Sequence, residues 1–302
     1  MNKTTRSGIA TLAVLSLIWG YTWIVQKEGL RFASPLDYGA LRALPGALVL
    51  FSAMIVLRRP LRPTRPGYAL LLGLFQTTAF IGFTNWALLA GGAGRSAILC
   101  YTMPFWTLLL ARVVLGERLR ALQWCAVALA GLGLVLVLEP WHLAGTIASK
   151  VLAVAGGVSW AASAVVAKYW RAREDYDLLS ATAWQMLLGG LVLAAIAWFV
   201  PSHPIHWTPY FGFLLGYMVV LSTAVGWFLW MYLLNRLPAG IAGLSMMAVP
   251  VLGVFFSWLQ IGEQPSRVEL VGIVVIAISL ALLAWAGQRN QPADAGTPAV
   301  GE

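Results

Sequence analysis

The sequence predicts an all-α integral membrane protein of ten transmembrane helices, arranged as two inverted-topology repeats of five. Three observations carry that prediction: the apolar composition, the recurrence of helix-length apolar runs, and a duplication of motifs about halfway along the chain. Of the 302 residues, 60% are hydrophobic and only 10% are charged, far from the balance of a soluble domain. The mean hydropathy of +0.79 agrees. A bilayer core about 30 Å thick takes roughly 20 apolar residues per helix, and such runs follow one another from Gly8 to Gly287. Lipid offers no water to unpaired backbone groups, so only helices and closed barrels can span it. The runs are helix-length rather than short and alternating, which selects helices.

Charges, prolines and polar clusters punctuate the chain and place the spans near residues 8–26, 35–57, 67–90, 94–115, 120–138, 147–169, 176–200, 209–234, 239–260 and 266–287. Lys3 and Arg6 ahead of an apolar run resemble a signal peptide, but the run is long, contains Trp19-Gly20 and lacks a small-residue cleavage pattern. It reads as a retained first helix. Residues 288–302 carry Pro292, Gly296, Pro298 and Gly301 with little apolar surface, and read as a disordered cytoplasmic tail.

With the N-terminus inside, 14 of the 20 Lys and Arg residues fall at inside segments and 6 at or near the outside, so both termini are expected in the cytoplasm. The net charge of +9 is therefore read as a topology signal, not a nucleic-acid footprint. Cys100 and Cys125 both fall within spans and suggest no disulfide framework.

The motifs recur. Trp19 and Lys27 return 141 residues later as Trp160 and Lys168, and Leu48-Val49-Leu50 returns as Leu191-Val192-Leu193. Ala93-Gly94, Pro104 and Gly116-Glu117 return 146 residues on as Ala239-Gly240, Pro250 and Gly262-Glu263. Residues 1–145 and 146–287 thus form two five-helix repeats. Five is odd, so the second enters the membrane from the opposite side. Two inverted halves can exchange conformations about a site between them, which is how a carrier alternates its access.

The paired halves, Trp19-Gly20-Tyr21-Thr22-Trp23 in the first span, and the repeated Pro-x11-Gly-Glu of Pro104–Glu117 and Pro250–Glu263 resemble the drug/metabolite transporter superfamily, in its ten-helix EamA branch. The resemblance covers residues 8–287. Within the branch, bacterial amino-acid exporters of the YddG type are the most similar in length, first-span tryptophans and the Tyr101-Thr102-Met103-Pro104 run. The resemblance implies a central cavity built by the first four helices of each repeat, with the fifth and tenth at the periphery. Ala126 and Ala130, spaced for close helix contact, fit that placement.

No carboxylate falls in mid-span, so a membrane-buried acid that couples a proton gradient is not expected. Most of the 15 tryptophans suit the interfacial belt, but Trp19, Trp23 and Trp160 sit near mid-span beside small residues and are cavity candidates. Stacking or cation–π contact there contributes about 0.5–2 kcal/mol, enough for broad selectivity. Polar residues in hydrocarbon need partners. Gln76, Asn85 and Gln185 are expected to face the cavity with Tyr101, Phe80 and an adaptable Met246. Thr77, Ser163, Thr223 and Ser245 join the candidate lining, with interhelical hydrogen bonding as their alternative role. Pro104 and Pro250, at matched positions, remove helix hydrogen bonds and with Gly94 and Gly240 are candidate hinges; a static kink is the alternative. Lys27, Lys168 and Arg42 are expected to snorkel to the interface, Arg42 having pairing with an acidic substrate group as its alternative. His203 and His206 lack a third ligand and are expected in solvent.

Together these residues suggest a secondary transporter exporting aromatic or other apolar amino acids and related small metabolites by alternating access, without ion coupling. The alternative is a multidrug or other metabolite exporter, for nucleosides or organic cations, coupled to protons. An enzyme would need convergent acid–base groups or a metal site, and none is expected. Expected partners are the small-molecule substrate and membrane lipids, with no cofactor and no nucleic acid, in a protein acting as a monomer in a bacterial-type inner membrane.

Overall fold

The computed structural model of the chain describes residues 3–116, 121–138, 147–226, 229 and 248–288. The first two spans are α1 (Lys3–Gly29) and α2 (Pro35–Val56). The third is a continuous rod of α3 (Pro66–Leu72), a π-helical stretch (Gly73–Ala79) and α4 (Phe80–Ala90). The fourth is broken at Tyr101-Thr102 into α5 (Ala93–Cys100) and α6 (Met103–Leu115). Then come α7 (Ala121–Leu138), α8 (Ile147–Arg171) and α9 (Leu178–Phe199). The eighth span runs through α10 (Pro209–Gly216) into a second π-helical stretch (Tyr217–Val225), and α11 (Ala248–Ile261) and α12 (Arg267–Gln288) complete the described chain.

Among the described residues each expected span contains a helical rod, and there is no strand. Five rods are long and apolar enough to cross a bilayer on those criteria alone: Pro35–Val56, Pro66–Ala90, Ala93–Leu115, Ile147–Arg171 and Leu178–Phe199. Shorter apolar helices at Ala121–Val137, Pro209–Val225 and Val249–Ile261 accompany them. Ser245, Met246, Gly240, Glu117 and the tail from residue 289 lie outside the described residues.

Local chemistry sets the helix ends. Ser34 and Asp177 cap α2 and α9, accepting from the backbone N–H of Asp37 and Ser180, and Thr208 caps α10 through Phe211. The Gly-Glu motif has a physical cause as well. Gly116 and Gly262 take φ of +69° and +71°, the left-handed conformation that closes a helix and that a Cβ would strain.

Helix pairing follows a twofold pattern. The first span packs on the ninth as the sixth packs on the fourth, and the second packs on the eighth as the seventh packs on the third. The second with the seventh, the fifth with the tenth, and the fourth with the ninth pair across the axis. Both π-helical stretches obey it too, since Phe80 donates to Phe75 O and Gly226 to Leu221 O, each five residues back and 146 apart in sequence.

Ion pairs confirm which loops share a face. Arg59 lies 3.4 Å from Asp177, and Arg65 pairs with Glu174, joining the loop after the second span to that after the sixth. At the other face Lys27 pairs with Glu263, and Arg95 Nε lies 2.6 Å from Glu269, whose carboxylate also faces Lys150 at 3.6 Å. Each of these contacts bridges an even number of spans, as alternating crossings demand.

The periphery is apolar. Val113, Trp198 and Phe199 are more than 80% exposed, which suits a lipid-facing belt. The fifth and tenth spans form their own layer, in which Ala126 and Ala130 are buried as expected and Gly133 meets Gly272. A Cβ on Gly272 would come within 2.8 Å of Gly133 O, so the two backbones touch with no side chain between them.

Candidate functional site

A cavity of about 70 Å³ lies between the repeats. The first span gives Trp19, Thr22, Trp23 and Gln26, which recur at helical spacing and so share one face of α1. Arg42 enters from the second span, Gln76, Phe80 and Ile81 from the third, Tyr101 from the break in the fourth, and Trp160, Met186 and Ser222 from the sixth, seventh and eighth. Trp19, Gln76, Tyr101 and Trp160 also line an adjoining chamber of about 270 Å³, bounded by Ser163, Gln185, Tyr176 and Leu178. That chamber runs toward the face where Arg65 meets Glu174.

The walls repeat each other in detail. Thr22 Oγ1 lies 3.1 Å from Ser222 Oγ, and in the other half Ser163 Oγ, which donates to Trp160 O, lies 3.3 Å from Gln76 Oε1. Thr22 and Ser163 are 141 residues apart, and Gln76 and Ser222 are 146 apart, so the bonds are mates. Trp19 donates through Nε1 to Ser222 O at 3.0 Å. Its mate Trp160 stands among aromatics, 5.4 Å from the Phe80 ring and 5.6 Å from Tyr101 in an edge-on contact. The fourth-span break creates this cage, because Tyr101 leaves the helix just before α6 begins at Met103-Pro104. Pro104 therefore occupies a first-turn position, where its missing N–H costs nothing. Pro250 lies inside α11 and lines a small apolar cleft against α12.

The expectation that Arg42 snorkels is overturned. It points into the cavity seven residues after Pro35, about 10 Å along the helix, with Nη1 donating to Gln26 Oε1 at 3.2 Å and Nη2 3.5 Å from Ser222 Oγ. Gln26 in turn donates to Asn85 Oδ1 at 2.6 Å, and Asn85 donates to Pro35 O at 2.7 Å. Reaching the interface would strip the guanidinium of these partners and draw it through packed helix. Lys27 too does more than snorkel, since it pairs with Glu263, which also holds Ser257 Oγ. The exposed His203 and His206 rings stand 6.2 Å apart, and no described group of residues could hold a metal.

Of the expected lining, Trp19, Trp23, Gln76, Phe80, Tyr101 and Trp160 border the central cavity, and Ser163 and Gln185 the adjoining chamber, which Pro104, expected as a hinge, also lines. Asn85 stands behind the wall, orienting Gln26. Thr77 and Thr223 are buried between helices, Thr77 Oγ1 lying 3.5 Å from Gln185 Oε1 and Thr223 donating to Met218 O. Gly94 packs against Val254, where a Cβ would approach to 2.8 Å of Val254 Cα. Sequence reasoning passed over Gln26, Thr22 and Ser222 as wall residues. The spacing of Trp19, Trp23 and Gln26 on one face was the signal that could have found Gln26.

A bundle of apolar helices, five of them long enough to cross a bilayer, twofold repeated about a cavity with polar and aromatic walls, defines an inverted-repeat membrane transporter. The chain belongs to the EamA-like transporter family, whose profile matches residues 6–139 and again 148–285. It is similar to the uncharacterized transporter YoaV of Bacillus subtilis, 24% identical over 92% of this chain and 96% of that one. The uncharacterized inner membrane transporter YedA of Escherichia coli is 27% identical over 90% and 89% of the two chains. A probable amino-acid metabolite efflux pump of Escherichia coli is 27% identical over 91% and 93%. One solved crystal structure superposes with a TM-score of 0.66 at 17% identity, covering 95% of this chain and 99% of the other, and supports the fold alone.

Proposed function

We infer that the protein exports amino acids and related small metabolites across a bacterial-type inner membrane by alternating access, acting as a monomer with both termini in the cytoplasm. The observation that carries this reading is the mated pair of contacts, Thr22 with Ser222 and Ser163 with Gln76, facing each other across one cavity. Two equivalent walls of opposite orientation can trade roles, so that closing one mouth opens the other. A similar protein is named a probable amino-acid metabolite efflux pump, which supports the substrate class.

Transport is driven by the substrate's own gradient. Among the described residues no carboxylate lines the central cavity, so that wall offers no acid to carry a coupling proton. Pro104, Pro250, Gly94 and Gly240 serve as hinges of the fourth and ninth spans. The alternative, an exporter of organic cations, is disfavoured by Arg42, whose charge repels a cation in a low-dielectric cavity. The 14 inside Lys and Arg residues support cytoplasmic termini.

Counterflow of labelled amino acids in proteoliposomes tests the reading. Saturable exchange that persists with an uncoupler is expected. A flux that needs an imposed pH gradient would remove the uncoupled mechanism, and no saturable exchange across amino acids and their metabolites would remove the carrier assignment. Cysteines at Arg58 and Arg171 are both expected to react only from the cytoplasmic side.

A further inference from the structure

We propose that Arg42 is the anchor for a carboxylate on the transported molecule, and that the Trp160, Phe80 and Tyr101 cage takes the part of the molecule remote from it. The proposal rests on the carrier reading and names the substrate chemistry of the same cavity.

Among the described residues the guanidinium has no charged partner. No ion pair among the described residues includes Arg42, although six are present elsewhere. Its contacts are neutral and long, 3.2 Å to Gln26 and 3.5 Å to Ser222, and its buried Nε–H has no acceptor. A guanidinium carries five donors that cannot be switched off by deprotonation. Holding such a group in a cavity inside the membrane without a counter-charge is costly, and an arriving anion offsets that cost.

The twofold repeat supplies an internal control. The register that sets Leu48-Val49-Leu50 on Leu191-Val192-Leu193 sets Arg42 on Gln185. Gln185 fills the equivalent place on the seventh span with a neutral amide, 3.5 Å from Thr77 on the third. The architecture therefore closes around this position without a cation, and packing alone does not call for arginine. The charge is an addition to one wall only.

The partners of Arg42 prepare it for a planar anion. Gln26 is held by Asn85, and Asn85 by Pro35 O, so the amide oxygen toward Arg42 is fixed by a chain of bonds running back to the start of α2. Ser222 steadies the other Nη from the opposite repeat. A fork pinned at its two ends presents parallel N–H groups, the geometry that carboxylates accept and that lysine cannot reproduce. Across the cavity the Trp160 cage offers π faces, which suit an apolar or amino-bearing remainder. Because Arg42 hangs from the second span and Ser222 from the eighth, a bound carboxylate would bridge the two repeats.

The test uses the full-length protein in proteoliposomes with matched sets: L-phenylalanine, L-leucine and L-glutamine, each beside its amide, with phenylethylamine as a cation lacking the carboxylate. Counterflow is measured for wild type, Arg42→Gln and Arg42→Lys, with folding checked by melting and gel filtration. Gln mimics the residue already tolerated at position 185. The acids are expected to exchange and the amides not. Arg42→Gln should weaken apparent affinity for the acids by at least about 30-fold, the lower bound for stripping one partner from a buried hydrogen-bonded charge. Arg42→Lys should keep the preference for acid over amide at reduced affinity. Amides exchanging as well as acids, or acids exchanging equally through Arg42→Gln, would overturn the anchor while leaving the carrier in place. Equal exchange of both forms that depends on chloride would assign Arg42 to an inorganic anion and overturn it too. If no solute of any charge exchanges, the carrier reading falls and takes the anchor with it.

Discussion

Gly189 on the seventh span and Thr77 on the third lie so close that a Cβ on the glycine would stand 2.5 Å from Thr77 Cβ. Gly46 and Thr223 repeat the relationship in the other half, at 2.8 Å to Thr223 Cγ2. Both pairs seat a helix against a π-helical stretch, and both exclude any larger residue.

Gly189→Val should therefore force the third and seventh spans apart, costing about 1–3 kcal/mol by overpacking. Thermal melting in detergent is expected to show a clear loss for Gly189→Val and Gly46→Val. Gly67→Val serves as the control, since nothing lies within 4 Å of a Cβ there. Equal melting of all three would show that the glycines are not the contact points.

Glu269 holds together one membrane face. Only 2% exposed, it binds Arg95 and Lys150 and accepts from Ser266 N–H at 2.9 Å. Glu269→Gln leaves two cations facing each other without their acid, and breaking such a buried pair costs about 3–5 kcal/mol. Melting should drop more for this change than for Glu28→Gln, whose partner Arg31 is exposed.

Lys27 and Glu263 tie the end of the first span to the end of the ninth. A partly exposed pair contributes about 1 kcal/mol or less to stability, so its expected effect is on which mouth stays shut. Lys27→Glu should raise thiol labelling of Val254→Cys, a partly buried position that borders the same cleft, and slow counterflow. The swap Lys27→Glu with Glu263→Lys should restore both. Labelling that ignores the swap would mean that charge pairing does not close this face.

Trp160→Ala removes one wall of the aromatic cage. Each aromatic contact contributes about 0.5–1.5 kcal/mol, so apparent affinity for phenylalanine should fall roughly tenfold in counterflow. Trp198→Ala is the comparison, because that ring is 85% exposed on the periphery. Equal effects would place Trp160 outside the binding surface.

The cavity was only partly legible in the sequence, for a physical reason. Trp19 and Trp160 stood out because the duplication paired them, and Gln76 and Gln185 because amides in hydrocarbon must face something polar. Which polar face a helix turns inward was not readable across the π-helical stretches. A π turn adds one residue to the helical turn and rotates the rest of the rod by about 100°. Gln76 was expected to face the cavity, whereas Thr77 had two roles open to it; the structure puts Gln76 on the cavity and Thr77 between helices. Arg42 was misread because a long basic chain near a span end ordinarily reaches water. Its actual partners, Gln26 and Ser222, come from distant parts of the chain.

The sequence by itself determined the solvent, the spans and the duplication, because bilayer thickness and backbone hydrogen bonding turn apolar runs of a given length into helices without reference to their neighbours. Only the tertiary structure decided that Arg42 looks inward with no ion pair among the described residues, while Gln185, its mate by sequence register, lies against Thr77. That difference depends on how helices far apart in sequence are rotated against one another, which close packing at Gly46 and Gly189 fixes and no local pattern encodes.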